Sequence, residues 1–260
     1  MGERTSYTPG TFCWVDLTSP DQPASKAFYE ALFGWEAQDM PVDDDGAVYS
    51  IMQLDGKDVA AIAPQPQQQR EAGVPPLWNS YVSVEDADAT LARATELGAT
   101  AHAPAFDVFD VGRMAVIQDP QGAFFELWQP KRRFGAAYVN APGAFCWNEL
   151  MSSDIDASTS FYGDLFGWTF EPFEASPQPY QMIKNGEAGN GGITVLPQPG
   201  MPPSWLVYFG VEDVEQSLAK VEQLGGSKLF GPQDIQIATI AIAQDPQGAV
   251  FALYAGEFVS

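Results

Sequence analysis

The chain contains the same series of short sequence blocks twice. PGTFCWVDL at 9–17 returns as PGAFCWNEL at 142–150, and FYEALFGW at 28–35 returns as FYGDLFGW at 161–168. PPLWNSYVSVEDAD at 75–88 returns as PPSWLVYFGVEDVE at 202–215, and DPQGAFFELW at 119–128 returns as DPQGAVFALY at 245–254. Four matched blocks in the same order indicate a domain duplicated in tandem. We therefore predict domains at 8–130 and 142–257, joined by a linker at 131–141 whose basic run KRR is solvated.

Composition limits the partners that such a chain can have. The formal net charge of −22 disfavours nucleic acids and anionic membranes. No apolar stretch is long enough for a membrane span, and the first residues contain no apolar signal core, so we expect a cytoplasmic location. The acidic run Asp43–Asp45 is typical of a solvated turn. We expect a small-molecule ligand as the partner of a monomer or homodimer.

Hydrophobic periodicity predicts the elements within each copy. Residues 11–17 alternate, which predicts a half-buried strand with Phe12, Trp14 and Asp16 on one face and Cys13 on the other. A helix follows to about residue 33, and further strands, a second helix and three more strands complete the copy. The predicted fold class is α+β, with tandem duplicated domains. Each domain has two βαβββ modules that form a curved, partly open mixed β-sheet cleft.

The paired βαβββ modules, the helix motif FY…LFGW and the turn DPQG running into ELW resemble the vicinal oxygen chelate superfamily. This superfamily includes glyoxalase I, bleomycin-resistance proteins and extradiol dioxygenases. The resemblance covers nearly the whole chain and implies the fold. It does not imply one reaction, because the fold hosts isomerases, dioxygenases and metal-free sequestering proteins.

The resemblance also indicates where metal ligands would stand. The equivalent positions in the two copies are Trp14, Asn79 and Glu126, and Trp147, Leu206 and Ala252. Only Glu126 has the chemistry of a metal ligand. The single histidine, His102, excludes an iron site with two histidines and one carboxylate, and we expect it to be a surface residue or a satisfied hydrogen-bond partner and not a ligand. We therefore expect no cofactor, with an all-oxygen divalent metal site as the alternative.

Three carboxylates are the candidate catalytic residues. Asp16 shares a strand face with Trp14, and Glu149 shares one with Trp147. Either carboxylate could join Glu126 in a pair. Such a pair could hold a metal, act as acid and base without a metal, or only line a polar cleft floor.

Aromatic and polar side chains near these carboxylates are the candidate ligand-binding residues. They are Trp14, Trp147, Trp128, Asn79, Asn148 and Arg113. Aromatic rings beside one carboxylate suit a flat or apolar organic ligand. Arg113 has Thr239 as its counterpart in the second copy, so it could bind an anionic ligand group or form a surface ion pair. Trp78 and Trp205, which both copies share, are predicted to pack in the core.

Two functions from different classes, a binding protein and an enzyme, fit these features best. The first is a metal-independent binding protein for an aromatic or apolar metabolite, acting in resistance or natural-product biosynthesis. The second is a glyoxalase-like lyase, isomerase or hydroxylase that uses Glu126 with Asp16 or Glu149. An interaction protein with vestigial clefts is a third possibility. Because the first copy has Glu126 where the second has Ala252, we expect any remaining chemistry in the first copy.

Overall fold

The computed structural model describes residues 2–42 and 46–258, so the predicted turn at Asp43–Asp45 lies outside the described residues. The first copy contains β1 (Phe12–Ser19), α1 (Gln22–Phe33), β2 (Glu36–Pro41), β3 (Val48–Leu54), β4 (Lys57–Pro64), α2 (Gln67–Glu71), β5 (Leu77–Ser83), α3 (Ala87–Glu96), β6 (Thr100–Ala101), β7 (Phe106–Val108), β8 (Gly112–Gln118) and β9 (Phe124–Pro130). The second contains β10 (Phe145–Ser152), α4 (Ile155–Phe166), β11 (Thr169–Pro172), β12 (Tyr180–Asn185), β13 (Ala188–Val195), β14 (Ser204–Gly210), α5 (Val214–Gln223), β15 (Ser227–Asp234), β16 (Ala238–Gln244) and β17 (Val250–Gly256).

Each copy forms one mixed sheet. The strand orders are β2-β3-β4-β1-β5-β9-β8-β6, with β7 beside β8, and β11-β12-β13-β10-β14-β17-β16-β15. The two βαβββ modules of a copy meet where β1 pairs with β5, or β10 with β14, in antiparallel fashion. Neither sheet closes into a barrel, so the predicted fold class is confirmed. The exact domain boundaries at 8, 130, 142 and 257 stay a prediction.

One helix of the structure was not predicted from the sequence. The connector at 64–76 contains α2, which follows Pro66 and consists of the good helix formers Gln, Arg and Glu. Of the helices that the structure describes, none has both the length and the apolar character needed to cross a membrane.

A β-bulge interrupts the first strand and changes the predicted faces. The pairing register of β1 with β5 shifts between Phe12 and Trp14. Because a bulge adds one unpaired residue, the strict alternation of faces is lost there. Phe12 packs against Trp168 and Trp205 of the second copy, whereas Trp14 donates a hydrogen bond to Tyr49. The prediction that Phe12 shares a face with Trp14 is therefore wrong, and β10 has the same shift at the equivalent position.

The first helix of each copy is delimited by matching caps. The Asp21 side chain accepts a hydrogen bond from the Ala24 amide at 3.1 Å, and Asp154 caps α4 in the same way. Gly34 and Gly167 end these helices with φ of 77° and 73°, a left-handed conformation that glycine adopts without steric cost. These caps fix the ends of the helix that carries the motif FY…LFGW, which both copies share.

The helices of the two copies pack against each other between the sheets. Helix α1 contacts α5 of the other copy, and α3 contacts α4. The Tyr29 hydroxyl on α1 donates to Asp245 Oδ2 at 3.1 Å and accepts from Trp78 Nε1 at 3.0 Å. Trp78 is only 1% exposed. This Trp–Tyr–Asp chain therefore joins one copy to the DPQG turn of the other.

An equivalent chain of hydrogen bonds joins the second copy to the DPQG turn of the first. Tyr162 donates to Asp119 Oδ2 at 2.9 Å and accepts from Trp205 Nε1 at 3.1 Å. The other oxygen of Asp119 accepts the amides of residues 121–123, so this aspartate closes its own turn and also binds the second copy. Core packing was predicted for Trp78 and Trp205 and is confirmed, but this core is shared by both copies.

We expect Tyr29→Phe and Tyr162→Phe each to lower the free energy of unfolding by about 1–2 kcal/mol, since each leaves a buried indole N–H and an aspartate oxygen unpaired. Urea denaturation measures the loss. Tyr254→Phe is the control because its hydroxyl bonds an exposed carbonyl, that of Glu257. Equal losses for Tyr29→Phe and Tyr254→Phe would contradict the interdomain role.

Candidate functional site

The concave face of the first copy holds a buried carboxylate with three hydrogen-bond donors. Asp16 is 4% exposed and accepts from the hydroxyls of Tyr49 and Tyr81 and from Asn79 Nδ2, each at 2.8 Å. Trp14 Nε1 donates to the Tyr49 hydroxyl at 2.9 Å, so the one hydroxyl proton of Tyr49 is directed to Asp16. Burial raises the pKa of Asp16, while the three donors oppose that rise.

Glu126 lies beside this network without joining it. It stands on β9 opposite Tyr81 on β5 and is 5% exposed, and its Oε2 has no hydrogen-bond partner. Burial raises the pKa of Glu126 well above its usual value, and the nearby Asp16 charge raises it further. Asp16 has three donors that stabilise its charged form and Glu126 Oε2 has none, so no donor to that oxygen opposes the effect of burial on the pKa of Glu126.

The interdomain linker packs across the first copy. Trp128 Nε1 donates to the Arg133 carbonyl at 2.9 Å, and the Ala136 amide donates to the Cys13 carbonyl at 2.8 Å. At Gly135, where φ is 125°, a Cβ atom would lie 2.3 Å from the Cys13 oxygen, so only glycine permits this close approach. The linker therefore lies over β1 and over Trp128, which shares its strand face with Glu126.

The predicted solvated linker is correct only for part of its basic run, because Lys131 and Arg132 are exposed whereas the segment that follows them is packed on the domain. Its three basic residues form ion pairs with aspartates of the first copy: Lys131 with Asp107, Arg132 with Asp110, and Arg133 with Asp58. The apolar Ala136 and Val139 are buried. Charge pairing and burial of these small side chains hold the segment on the domain instead of leaving it in solvent.

The second copy contains a cavity of about 460 Å³ on its concave face. Strands β10 and β12 to β17 contribute to its walls, together with the loop that precedes β12. The lining is mostly apolar. Cys146, Trp147 and Glu149 all face this space, because the bulge in β10 breaks the alternation between the first two.

Glu149 is the counterpart of Asp16 and has a related environment. Its Oε1 accepts from the Tyr208 hydroxyl at 3.0 Å, and Tyr180 also bonds the carboxylate. Trp147 Nε1 donates to the Tyr180 hydroxyl at 2.9 Å. A Cβ atom at Gly192 would lie 1.9 Å from that hydroxyl, so the glycine makes room for Tyr180. Burial raises the pKa of Glu149, and the two tyrosine donors oppose that rise.

The two copies differ in what surrounds this carboxylate. Asp16 is opposite Asn79 in the β1–β5 pairing, whereas Glu149 is opposite Leu206 in the β10–β14 pairing. Glu126 is replaced by Ala252. Glu149 therefore has neither an amide donor nor a second carboxyl beside it, and it is only half-buried where its counterpart is buried.

The structure brings some predicted site residues together and separates others. Asp16, Asn79 and Trp14 form one network, with Glu126 beside it, and Trp147 and Glu149 form another. Glu126 and Glu149 lie on different sheets, so the proposed pairing of these two residues has no structural basis.

Three other residues lie away from both networks. Arg113 pairs with Asp88 at 2.6 Å and also with Asp107, next to α3 on the helix side of the sheet. Asn148 is buried and accepts from the Ser80 hydroxyl at 2.8 Å between the copies. His102 is exposed, as expected.

Four tyrosines of these networks were missed from the sequence: Tyr49, Tyr81, Tyr180 and Tyr208. A signal existed for two of them. Tyr81 and Tyr208 occupy the same position in the matched blocks that begin with PP, five residues after the second proline of each block. A polar aromatic kept in both copies on a strand beside Asp16 or Glu149 is a candidate partner for that carboxylate.

The side chains of the first copy do not fit a divalent metal ion. Within residues 2–42 and 46–258, no three His, Cys, Asp or Glu side chains are grouped closely enough to hold one. The positions that the family uses for ligands carry an indole at Trp14 and an amide at Asn79 that already donates to Asp16. Glu126 alone remains, and one carboxyl group does not form a metal site.

Comparison with known proteins agrees with this fold. Residues 11–127 match the model of the glyoxalase/bleomycin resistance protein/dioxygenase superfamily, and residues 146–254 match a glyoxalase-like domain. The "Putative glyoxylase CFP32" of Mycobacterium tuberculosis is 44% identical over 97% of both chains. The anthracycline biosynthesis protein DnrV of Streptomyces peucetius is 34% identical over 96% of this chain and 94% of its own.

Solved structures show the same fold at low identity. The Mn(II)-bound glyoxalase of Novosphingobium aromaticivorans superposes with a TM-score of 0.65 at 16% identity, over 100% of this chain and 84% of its own. The 2,3-dioxygenase LapB of Pseudomonas sp. KL28 gives 0.64 at 15% identity, over 98% and 95%. The fold and the two clefts define a protein built from tandem glyoxalase-like domains. The chain belongs to the glyoxalase/bleomycin resistance protein/dioxygenase superfamily.

Glu126→Gln should make the protein more stable than the wild type by a margin that grows with pH. Above about pH 4.3 the unfolded chain releases this proton while the folded protein keeps it, so the wild type loses stability until the pH passes the raised folded pKa. The limiting slope is about 1.4 kcal/mol per pH unit. Urea denaturation of both proteins from pH 4 upward measures the difference in their free energies of unfolding. The exposed Glu222→Gln is the control, and a pH-independent difference for Glu126→Gln would contradict the raised pKa.

Proposed function

We propose that this protein is a metal-independent binding protein for a flat apolar or aromatic metabolite, which it sequesters or presents during natural-product metabolism. The observation that carries the proposal is the apolar cavity of the second copy, with Trp147 in its wall and the Glu149 carboxylate facing it. The proposed site is in the second copy, whereas Glu126 was the reason to expect chemistry in the first.

The size and lining of the cavity support an organic ligand. Its volume of about 460 Å³ falls within the range of roughly 300–1,000 Å³ that is usual for small-molecule sites. Several aromatic rings line it: Trp147, Phe173, Tyr180, Tyr208, Phe230, Tyr254 and Phe258. Aromatic walls hold flat ring systems by stacking and by apolar burial, while a single polar group sets the orientation.

The residues at the metal-ligand positions support metal-independent binding, and the relatives support a role in natural-product metabolism. The positions of the second copy equivalent to family metal ligands are Trp147, Leu206 and Ala252, of which none binds a divalent metal through its side chain. The Streptomyces relative is named as an anthracycline biosynthesis protein, which favours a role in natural-product metabolism.

We expect flat aromatic compounds to quench the fluorescence of the protein, equally before and after dialysis against a chelator. Trp147→Phe should remove most of the quenching because this indole lines the cavity. The matched control is Trp14→Phe in the first copy, whose indole is buried and should leave the quenching unchanged. Calorimetric titration checks that the signal reports binding. Failure of every aromatic compound to quench or to release heat would refute the proposal.

Elemental analysis tests the metal-independent part. We expect far less than one metal ion per chain in the purified protein, because Glu126 is the single carboxylate at the family's ligand positions. The same result is expected after incubation with Mn, Ni, Zn or Fe salts and desalting. Glu126→Ala is the comparison. A stoichiometric metal that this variant loses would sink the metal-independent proposal.

A second candidate is an acid–base enzyme of the lyase or isomerase kind, centred on Glu126 and Asp16. The observation that favours it is the unpartnered Glu126 oxygen in a buried carboxyl pair whose pKa values are raised. Turnover of a bound compound that Glu126→Gln abolishes and Glu149→Gln leaves intact would favour this enzyme over the binding protein.

A further inference from the structure

The charged groups around the cavity of the second copy have one sign. Among the described residues that line it, Glu149 and Glu257 are acidic, and there is no Lys, Arg or His. Glu149 is half-buried in the apolar wall, where a charge is weakly screened by water. The whole chain adds a formal net charge of −22. An anionic ligand would therefore be repelled from this cavity, whereas a cation would be attracted.

The polar groups beside Glu149 are already used as donors to protein atoms. The Trp147 N–H points to the Tyr180 hydroxyl, and the hydroxyls of Tyr180 and Tyr208 bond Glu149. A tyrosine hydroxyl has one proton, so neither tyrosine has a second one to donate to a ligand. What this part of the cavity offers to a ligand is the carboxylate, which is an acceptor.

The Glu149 carboxylate has one hydrogen-bond donor fewer than Asp16, its counterpart in the first copy. In the first copy Asn79 supplies a third hydrogen bond to Asp16, at 2.8 Å. In the second copy the residue opposite Glu149 is Leu206, which has no donor. An ionised carboxylate has about four lone-pair sites, and burial without enough donors is unfavourable. A ligand N–H group can supply the bond that Asn79 supplies in the first copy.

We propose that the cavity selects an organic cation, a protonated amine carried on a flat ring system, with the ammonium group bonded to Glu149. This inference rests on the proposed binding function and narrows it to one class of ligand. The ring system lies against Trp147 and the neighbouring aromatic rings. The ammonium group forms a charge-assisted hydrogen bond, which is about twice as strong as a neutral one.

The test uses three probes with the same ring system and different charge: aminomethylanthracene as the cation, hydroxymethylanthracene as the neutral probe and anthracene carboxylate as the anion. Calorimetry at pH 7 measures their affinities for the full chain. We expect the cation to bind at least about tenfold more tightly than the neutral probe, and the anion more weakly than both.

Two variants locate the selectivity. Glu149→Gln should lower the affinity for the cation by about tenfold to a hundredfold and leave that for the neutral probe nearly unchanged. Leu206→Asn should also weaken the binding of the cation selectively, because the new amide would donate a hydrogen bond to Glu149 as Asn79 does to Asp16. The control is Asp156→Asn, because Asp156 is an exposed residue of α4 away from the cavity. This variant should bind all three probes as the wild type does.

The outcomes separate this inference from the binding function on which it rests. If none of the three probes binds, the proposed function has failed. If the neutral probe binds as tightly as the cation, or the anion binds best, the cavity is a binding site but the inference is overturned. Binding of the neutral probe to each variant shows that the variant is folded. A preference for the cation that survives in Glu149→Gln also overturns the assignment of Glu149.

Discussion

Two buried tyrosine hydroxyls join the copies of this protein, and the rest of the structure depends on them. Each accepts a tryptophan N–H from its own copy and donates to the aspartate of the other copy's DPQG turn. Because these bonds are deep in the shared core, they hold the helices between the two sheets. The concave faces are thereby kept free of helices, and each copy has a cleft floor made only of strands.

The equivalent clefts of the two copies differ in how far they are covered. In the first copy the linker bonds β1 and Trp128, and Asp16 and Glu126 are almost fully buried. In the second copy Trp147 and Glu149 remain half-buried at a cavity of about 460 Å³. Access, more than the identity of the carboxylates, thus distinguishes the covered cleft of the first copy from the open cavity of the second. Sequence comparison of the copies alone does not show this difference.

The sequence predicts what repeats and misses what depends on long-range packing. The four matched blocks predicted two domains of βαβββ modules, and the positions of Asp21 and Gly34 indicated the limits of the first helix. Strict alternation placed Phe12 on the wrong face, because a bulge leaves no signature in a seven-residue pattern. Composition also suggested a solvated linker, although its three basic residues pair with aspartates that only the fold brings near.

A carboxylate bonded by two tyrosines, one of which accepts from a tryptophan, is the feature that both clefts keep. It does not coincide with the metal positions of the family, at which only Glu126 has the chemistry of a metal ligand. Asp16 has its donors supplied within the protein and needs no ligand to be stable in a buried place. Glu149 carries one methylene more and faces Leu206 where Asp16 faces Asn79. The two copies therefore differ in how this network is completed: the protein supplies a third donor to Asp16, whereas Glu149 lacks the equivalent amide, which under the proposed function a ligand replaces.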